Sequence, residues 1–236
     1  MQRHVEPEIL DELAVADPKA LRSRKDLRRV NGWMGHGRIM AHELRLAARG
    51  LHPPRPARII EIGAGDGHFS LTVGCRLCRD WPGVRATLLD KQDLVSPGTR
   101  LAFERLGWQA EPLITDVFDW LGQPTAQGWD VMVANLFLHH FSAEQLAELL
   151  HSAAQRTRVF LALEPRRSAW SLTFSRCLWI IGCNAVTRHD APISVRAGFA
   201  GRELSRLWPV AQGWSVLERP VGLFSHLFVA HQFQTS

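Results

Sequence analysis

Up to about Gly50 the apolar positions of the chain recur at helical spacing, and from Ala57 onward short β-branched runs alternate with helical ones. EPEILDELAV places apolar residues on one helical face. The stretch from Asp17 to Gly50 reads as two helices broken near NGWMGHG, where glycines interrupt the period. Asp17 before Pro18 predicts a capped start with proline in the first turn. HPPRP then predicts extended backbone, because proline fixes its own φ and restricts the residue before it. Beyond it ARIIEI predicts a strand, GHFSLTVGCRLCRDW a helix, ATLLD a strand, PGTRLAFERLG a helix and EPLITDV a strand. WDVMVANLFL predicts the next strand, SAEQLAELLHSAAQR a helix capped by Ser142, and RVFLALEP a further strand. Strand and helix by turns imply a mostly parallel α/β sheet covered on both faces.

The regularity fails between Pro165 and about Gly213. A structureless loop that long is uncommon in a compact domain, so the stretch is expected to be an insertion with its own helices. GWSVLERPVG and LFSHLFVAHQF then predict two closing strands with a turn around Pro220 and Gly222. Two strands in succession, with no helix between them, predict an antiparallel hairpin that finishes the parallel sheet.

Composition narrows this only a little. A chain of 236 residues suits one α/β domain with an elaboration. The longest apolar stretch, SLTFSRCLWIIGCNAV, is interrupted by Arg176, so no membrane span is expected. The first residues carry acids and no apolar signal core, and four cysteines make no disulfide framework. A reducing, cytoplasmic setting is the expectation. The net charge of +5 comes from arginines, many of them in LRSRKDLRR and between Arg166 and Arg206. They are read as a solvated face with internal pairs rather than as a nucleic-acid surface. Cys75 and Cys78 have ligand-like spacing, but they fall inside a helix and CLWIIGC supplies no matching pair. No metal site is expected there, and buried apolar thiols are the expectation.

The chemistry is concentrated in RIIEIGAGDGHF, residues 58 to 69. Gly63, Gly65 and Gly67 remove side chains that would hold backbone away from a ligand. The helix that follows aims unpaired N–H groups at the same place. A dinucleotide fingerprint needs a glycine where this chain has His68. Glu61, ending the strand, would repel a pyrophosphate and suits a cationic or amine-bearing ligand.

E-I-G-A-G-D-G resembles the first motif of class I S-adenosylmethionine-dependent methyltransferases, an acid followed by x-G-x-G-x-G. Further landmarks follow in the family's order, covering Ala57 to Glu164 well and the last strands moderately. The resemblance implies a Rossmann-like doubly wound sheet, mostly parallel with an antiparallel terminal strand, plus N-terminal helices and a helical insertion before the last two strands. It implies S-adenosyl-L-methionine as the cofactor, held at Glu61, Gly63, Ala64, Gly65 and Gly67. Asp90, with Lys91 beside it, would take the ribose hydroxyls. Asp116, with Val117, would stand near the adenine amino group, and Asn135 and Leu136 would line the cofactor. Residues 1–50 resemble a helical lid in which Trp33 packs near the cofactor and Arg38 pairs with its carboxylate, although a plain helix junction is as good a reading. Residues 51–236 would be the methyltransferase domain, with a substrate-side insertion at about 165–212.

Methyl transfer from a sulfonium needs alignment, and a base only when the acceptor holds its proton tightly. His139 and His140, just past the fourth strand, and His189, beside Asp190 in the insertion, are the candidates for that role. Each also has a structural reading. Arg188 and Arg196 would bind an acidic acceptor or pair with Asp190 and Glu203. No proline follows Asn135 to make the motif of base-nitrogen methylation, and no Pro-Cys nucleophile is present. Trp170, Phe174, Trp179, Phe199 and Trp208 would make either an apolar acceptor pocket or the insertion's own core. The expected function is methylation of a small apolar or aromatic acceptor, on oxygen or carbon, in quinone or natural-product biosynthesis. RNA or protein methylation and a non-catalytic methyltransferase-like subunit are the alternatives. The oligomeric state stays open.

Overall fold

The computed structural model describes residues 1–51, 55–124, 128–209 and 213–232. Parts of three expectations lie outside the described residues: the extended link at 52–54, the end of the insertion at 210–212, and the last residue of the closing strand at 233. Seven strands form one sheet: β1 (Arg58–Ile62), β2 (Arg85–Asp90), β3 (Gln109–Ile114), β4 (Trp129–Asn135), β5 (Thr157–Pro165), β6 (Trp214–Val221) and β7 (Ser225–Gln232). Their order is β3-β2-β1-β4-β5-β7-β6. The first five run parallel, and β7 is antiparallel to both β5 and β6. The closing hairpin thus inserts its second strand between β5 and β6.

Neighbouring residues of β1 explain the two-sided core. Ile59 joins a cluster with Met40, Leu44, Val73, Leu77 and Trp108 on one face. Ile60 and Ile62 join Leu146, Leu149, Phe160, Trp208 and Phe228 on the other. A parallel sheet buried on both faces needs apolar residues at every position, which is why its strands read as continuous runs.

The N-terminal region forms α1 (Ile9–Glu12), α2 (Pro18–Met34) and α3 (His36–Ala47). The helical pattern of EPEILDELAV yields only the single turn of α1. Asp17 caps α2, accepting the Lys19 N–H at 2.7 Å, with Pro18 in the first turn. Gly35, at φ +70°, makes the break between α2 and α3. α3 packs Met40, Ala41 and Leu44 into the sheet's own core.

The connecting helices are α4 (His68–Leu77), α5 (Pro97–Arg105), α6 (Val117–Leu121) and α7 (Ala143–Arg156). α6 has no counterpart in the sequence pattern, being too short to show a period. Ser142 and Gln145 close a capping box on α7. Cys75 is exposed on α4, and Cys78, just past its end, is half-buried against the core, so the expected burial fails for Cys75 and holds only in part for Cys78.

The insertion holds α8 (Ala169–Ser175), a 3-10 turn at Leu178–Ile181, α9 (Ala185–Ala197) and α10 (Glu203–Leu207). Its aromatics divide. Phe199 and Trp208 are buried in the core beneath the sheet. Trp170 and Phe174 are exposed because α8 turns Ser171 and Ser175 inward, and Trp179 is exposed on the 3-10 turn, which buries none of its residues. None of the five lines the cleft over the ends of the strands.

Candidate active site

A cleft of about 500 Å³ opens over the carboxyl ends of β1 to β4. It lies where the strand order reverses, with β2 on one side of β1 and β4 on the other. Crevices of this kind form there because adjacent connections leave in opposite directions.

Its floor is the loop after β1. Gly63, at φ +67°, lies so close to Phe137 that a Cβ would stand 2.1 Å from that ring. Gly65, at φ +54°, has nothing within 4 Å of where its Cβ would be. The bare backbone of Gly65 therefore borders open cleft. Its N–H donates to Asp90 Oδ2 at 2.8 Å, and the Ala64 N–H donates to the Leu89 carbonyl at 2.9 Å. These bonds sew the loop to the end of β2.

Glu61, next to last in β1, has 2% of its surface exposed. Its Oε2 has no hydrogen-bond partner. Burial is the main cause that pushes its pKa up to about 8. Asp66 and Asp90 add to the rise, and Ser70 opposes it. A buried acid oxygen without a donor is costly unless a cation or donor arrives to meet it.

The other acids have structural partners as well. Asp90 Oδ1 accepts the Gln92 N–H at 2.9 Å. Asp116 caps α6, accepting the Phe118 N–H at 2.8 Å. Asn135 Oδ1 meets His36 Nδ1 at 2.7 Å, and His36 Nε2 meets Ser225 Oγ at 2.7 Å. Burial holds the His36 pKa below its ordinary value. Leu136 has φ +54°, in the left-handed region that a branched side chain resists at a cost of about 1–2 kcal/mol. Its N–H holds the turn by donating to the Leu163 carbonyl at 2.8 Å.

The far wall centres on His139, whose side chain is 3% exposed. Nδ1 lies 2.8 Å from Glu164 Oε2, and Nε2 lies 3.3 Å from Glu8 Oε1. Burial alone would lower the His139 pKa, but the two carboxylates outweigh it and push it up to about 9. Fully buried Glu164 also accepts the N–H groups of Phe137 at 3.0 Å and Leu138 at 2.9 Å. It thereby fixes the turn that carries the histidines. His140 stacks on His139 with ring centroids 4.2 Å apart, and its Nδ1 lies 3.2 Å from Asp11 Oδ2.

The chain's first residues complete this wall. Arg3 donates to the carbonyls of Ala197 at 2.7 Å, His139 at 3.1 Å and Phe141 at 2.8 Å. Asp190 accepts the N–H groups of Ile9 and Leu10, both at 3.0 Å. Across the cleft mouth Arg28 pairs with Asp66, its Nε at 2.8 Å, which ties α2 to the glycine loop.

The cleft brings together Arg38, Glu61, Gly63, Ala64, Gly65, Asp90, Lys91, Asp116, Val117, Asn135, Leu136, His139 and His140. Three predicted residues are not part of its lining. Trp33 is 73% exposed, turned outward near the end of α2. Gly67 lies beneath the cleft, packed against Leu88. His189 is half-exposed on α9 and paired with Asp190 at 2.9 Å. Arg188 and Arg196 do not take the ion pairs proposed for them: the Asp190 carboxylate serves backbone and His189, and Glu203 pairs with Arg167. His226 is wholly buried against Glu218 at 2.8 Å. Sequence reasoning missed Glu8, Asp11, Arg28 and Glu164. Only Glu164 carries a local hint, as an acid ending an otherwise apolar strand.

The seven-stranded order, the antiparallel β7 and the cleft at the reversal define the Rossmann-like fold of class I methyltransferases. No protein-family model matches the chain, and no curated protein sequence matches it. Solved structures do. The plantazolicin methyltransferase BpumL, in complex with SAH, superposes with a TM-score of 0.63 at 13% identity, over 92% of this chain and 91% of that one. An O-methyltransferase family protein from Burkholderia thailandensis gives 0.57 at 17% identity, over 94% of this chain and 62% of that one. The plantazolicin methyltransferase BamL, in complex with a triazolic desmethylPZN analog and SAH, gives 0.62 at 12% identity, over 92% of each chain.

Proposed function

We propose that this protein is an S-adenosylmethionine-dependent methyltransferase acting on a small, apolar or aromatic acceptor, on oxygen or carbon. The observation that carries the reading is the unpartnered Oε2 of buried Glu61, set beside the bare backbone of Gly65 and the carboxylate of Asp90. A ligand with no hydrogen-bond donor at that position leaves the oxygen unsatisfied. A nucleoside bearing an ammonium or sulfonium satisfies it. The solved neighbours bound to SAH support the same choice.

When bound, the cofactor supplies an activated methyl group on a positive sulfur. The chain's residues do the rest. Glu61 meets the cationic amino-acid end, and Arg38 its carboxylate. Asp90 and Lys91 orient the ribose. Asp116 and Val117 border the adenine, and Asn135 and Leu136 form the wall at the strand tip. The polar groups of Glu8, Asp11, His139 and His140 orient the acceptor heteroatom. Leu10, Leu27 and Phe141, which line the same cleft, hold its apolar body and exclude water, so in-line approach becomes effectively intramolecular. The apolar surface comes from the N-terminal segment and the turn after β4, rather than from the insertion. In this reading residues 1–50 roof the acceptor side.

S-adenosylhomocysteine is expected to raise the melting temperature, as any ligand selective for the native state does. NADH is not. No shift at millimolar S-adenosylhomocysteine, or a shift with NADH in its place, overturns the proposal.

A further inference from the structure

We propose that Glu8, His139 and His140 form a divalent transition-metal site, of the two-histidine, one-carboxylate type that suits Zn²⁺, on the acceptor wall of the cleft. One ligand atom from each of the three lies within 4.8 Å of the other two. His139 Nε2 and Glu8 Oε1 stand 3.3 Å apart. Two ligand atoms about 2.1 Å from one tetrahedral ion stand roughly 3.4 Å apart, so this edge fits with little movement.

A second observation points the same way. Each imidazole already has a carboxylate on Nδ1: Glu164 for His139 at 2.8 Å and Asp11 for His140 at 3.2 Å. Metal-binding histidines are oriented in this way, with the outer carboxylate fixing the tautomer and raising the basicity of the other nitrogen. Glu164 has no exposed side-chain surface, so the orientation of His139 is built into the core. Glu8 is held in turn by Ser194. On binding an ion, the proton that His139 holds toward Glu8 leaves to solvent.

All three residues line the cleft. Three protein ligands leave a fourth position for water or substrate, the arrangement of catalytic rather than structural zinc sites. If the methyltransferase reading holds, that position would take the acceptor hydroxyl and lower its pKa, so that no separate base is needed.

The test uses the full chain, free of any affinity tag, without cofactor or acceptor, after dialysis against EDTA. Zn²⁺ is titrated calorimetrically, and the metal retained after gel filtration is measured by mass spectrometry. One Zn²⁺ per chain is expected. Glu8→Gln and His140→Ala should each weaken binding about tenfold or more, whereas His151→Ala, on the exposed face of α7, should leave it unchanged. His140 is only partly buried, so its truncation keeps the readout if Glu8→Gln fails to fold; thermal melts check both. No retained ion, or an affinity equal to wild type in Glu8→Gln and His140→Ala, overturns the proposal. Neither result bears on the shift by S-adenosylhomocysteine, so the two readings fail separately.

Discussion

Glu61 is the residue whose surroundings ask most for a ligand. Its native pKa of about 8 lies above the ordinary carboxyl value of 4.5. The native state therefore binds this proton more tightly than the unfolded chain does. Its contribution to stability is present below about pH 4.5, falls as the pH rises to about 8, and is level above that. The cation of the proposed cofactor favours the carboxylate, so binding near pH 7 should release a proton. Calorimetry of S-adenosylhomocysteine in two buffers of different ionisation enthalpy reads this directly. In Glu61→Gln the release and the pH dependence should both vanish. Asp90→Ala should weaken binding of the same ligand by roughly ten- to a hundredfold, since an unpaired donor costs about 1–3 kcal/mol and the Gly65 N–H loses its partner. Arg188→Ala should change it little. Equal losses would mean that the ribose lies elsewhere.

Among the elements, the glycine loop and the turn after β4 depend on one another. A methyl at Gly63 would meet Phe137 at 2.1 Å, on backbone at φ +67°. Gly63→Ala should lower stability by about 1–3 kcal/mol, read as a shift in denaturant midpoint with an unchanged slope. Ser142→Ala breaks the capping box of α7. It should cost about 1 kcal/mol and leave S-adenosylhomocysteine binding as in wild type, because α7 is outside the cleft lining. At this scale most of the strands and longer helices were legible in the chain. The boundaries at Pro18, Gly35 and Ser142 follow from local chemistry alone. The single turn of α6 was not legible, and Asp116 accordingly reads as a ligand-binding acid when it is also that helix's cap.

For the whole molecule, the first dozen residues act as a strap across the sheet's carboxyl edge. Arg3 and Glu8 fasten them to the turn after β4, and Asp190 fastens them to α9. Asp190→Ala leaves two backbone donors without their partner. Limited trypsin digestion should then cut within the N-terminal segment faster than in wild type, while the rest of the domain persists and still responds to S-adenosylhomocysteine. Unchanged cleavage would show that Arg3 and Glu8 hold the strap by themselves. The net charge of +5 gives no single basic face to the cleft, because Arg28 is paired with Asp66 and Glu8 and Asp11 stand opposite.

The succession of strands and helices along the chain, the glycine loop and the acids at the tips of β1, β2 and β3 were determined by the sequence by itself. These depend on residue type at fixed spacing along one strand or one turn. The acceptor wall was decided only by the tertiary structure. Glu8 and His139 are 131 positions apart, and Asp190 and Ile9 are 181 apart, so no periodicity or motif connects them. The same holds for the aromatics of the insertion. Their composition allowed either a pocket or a core, and packing sent Phe199 and Trp208 into the core and left Trp170 and Trp179 in solvent. Spacing along a chain fixes which face of an element is apolar. Which charged groups meet across a cleft depends on how those faces close on one another.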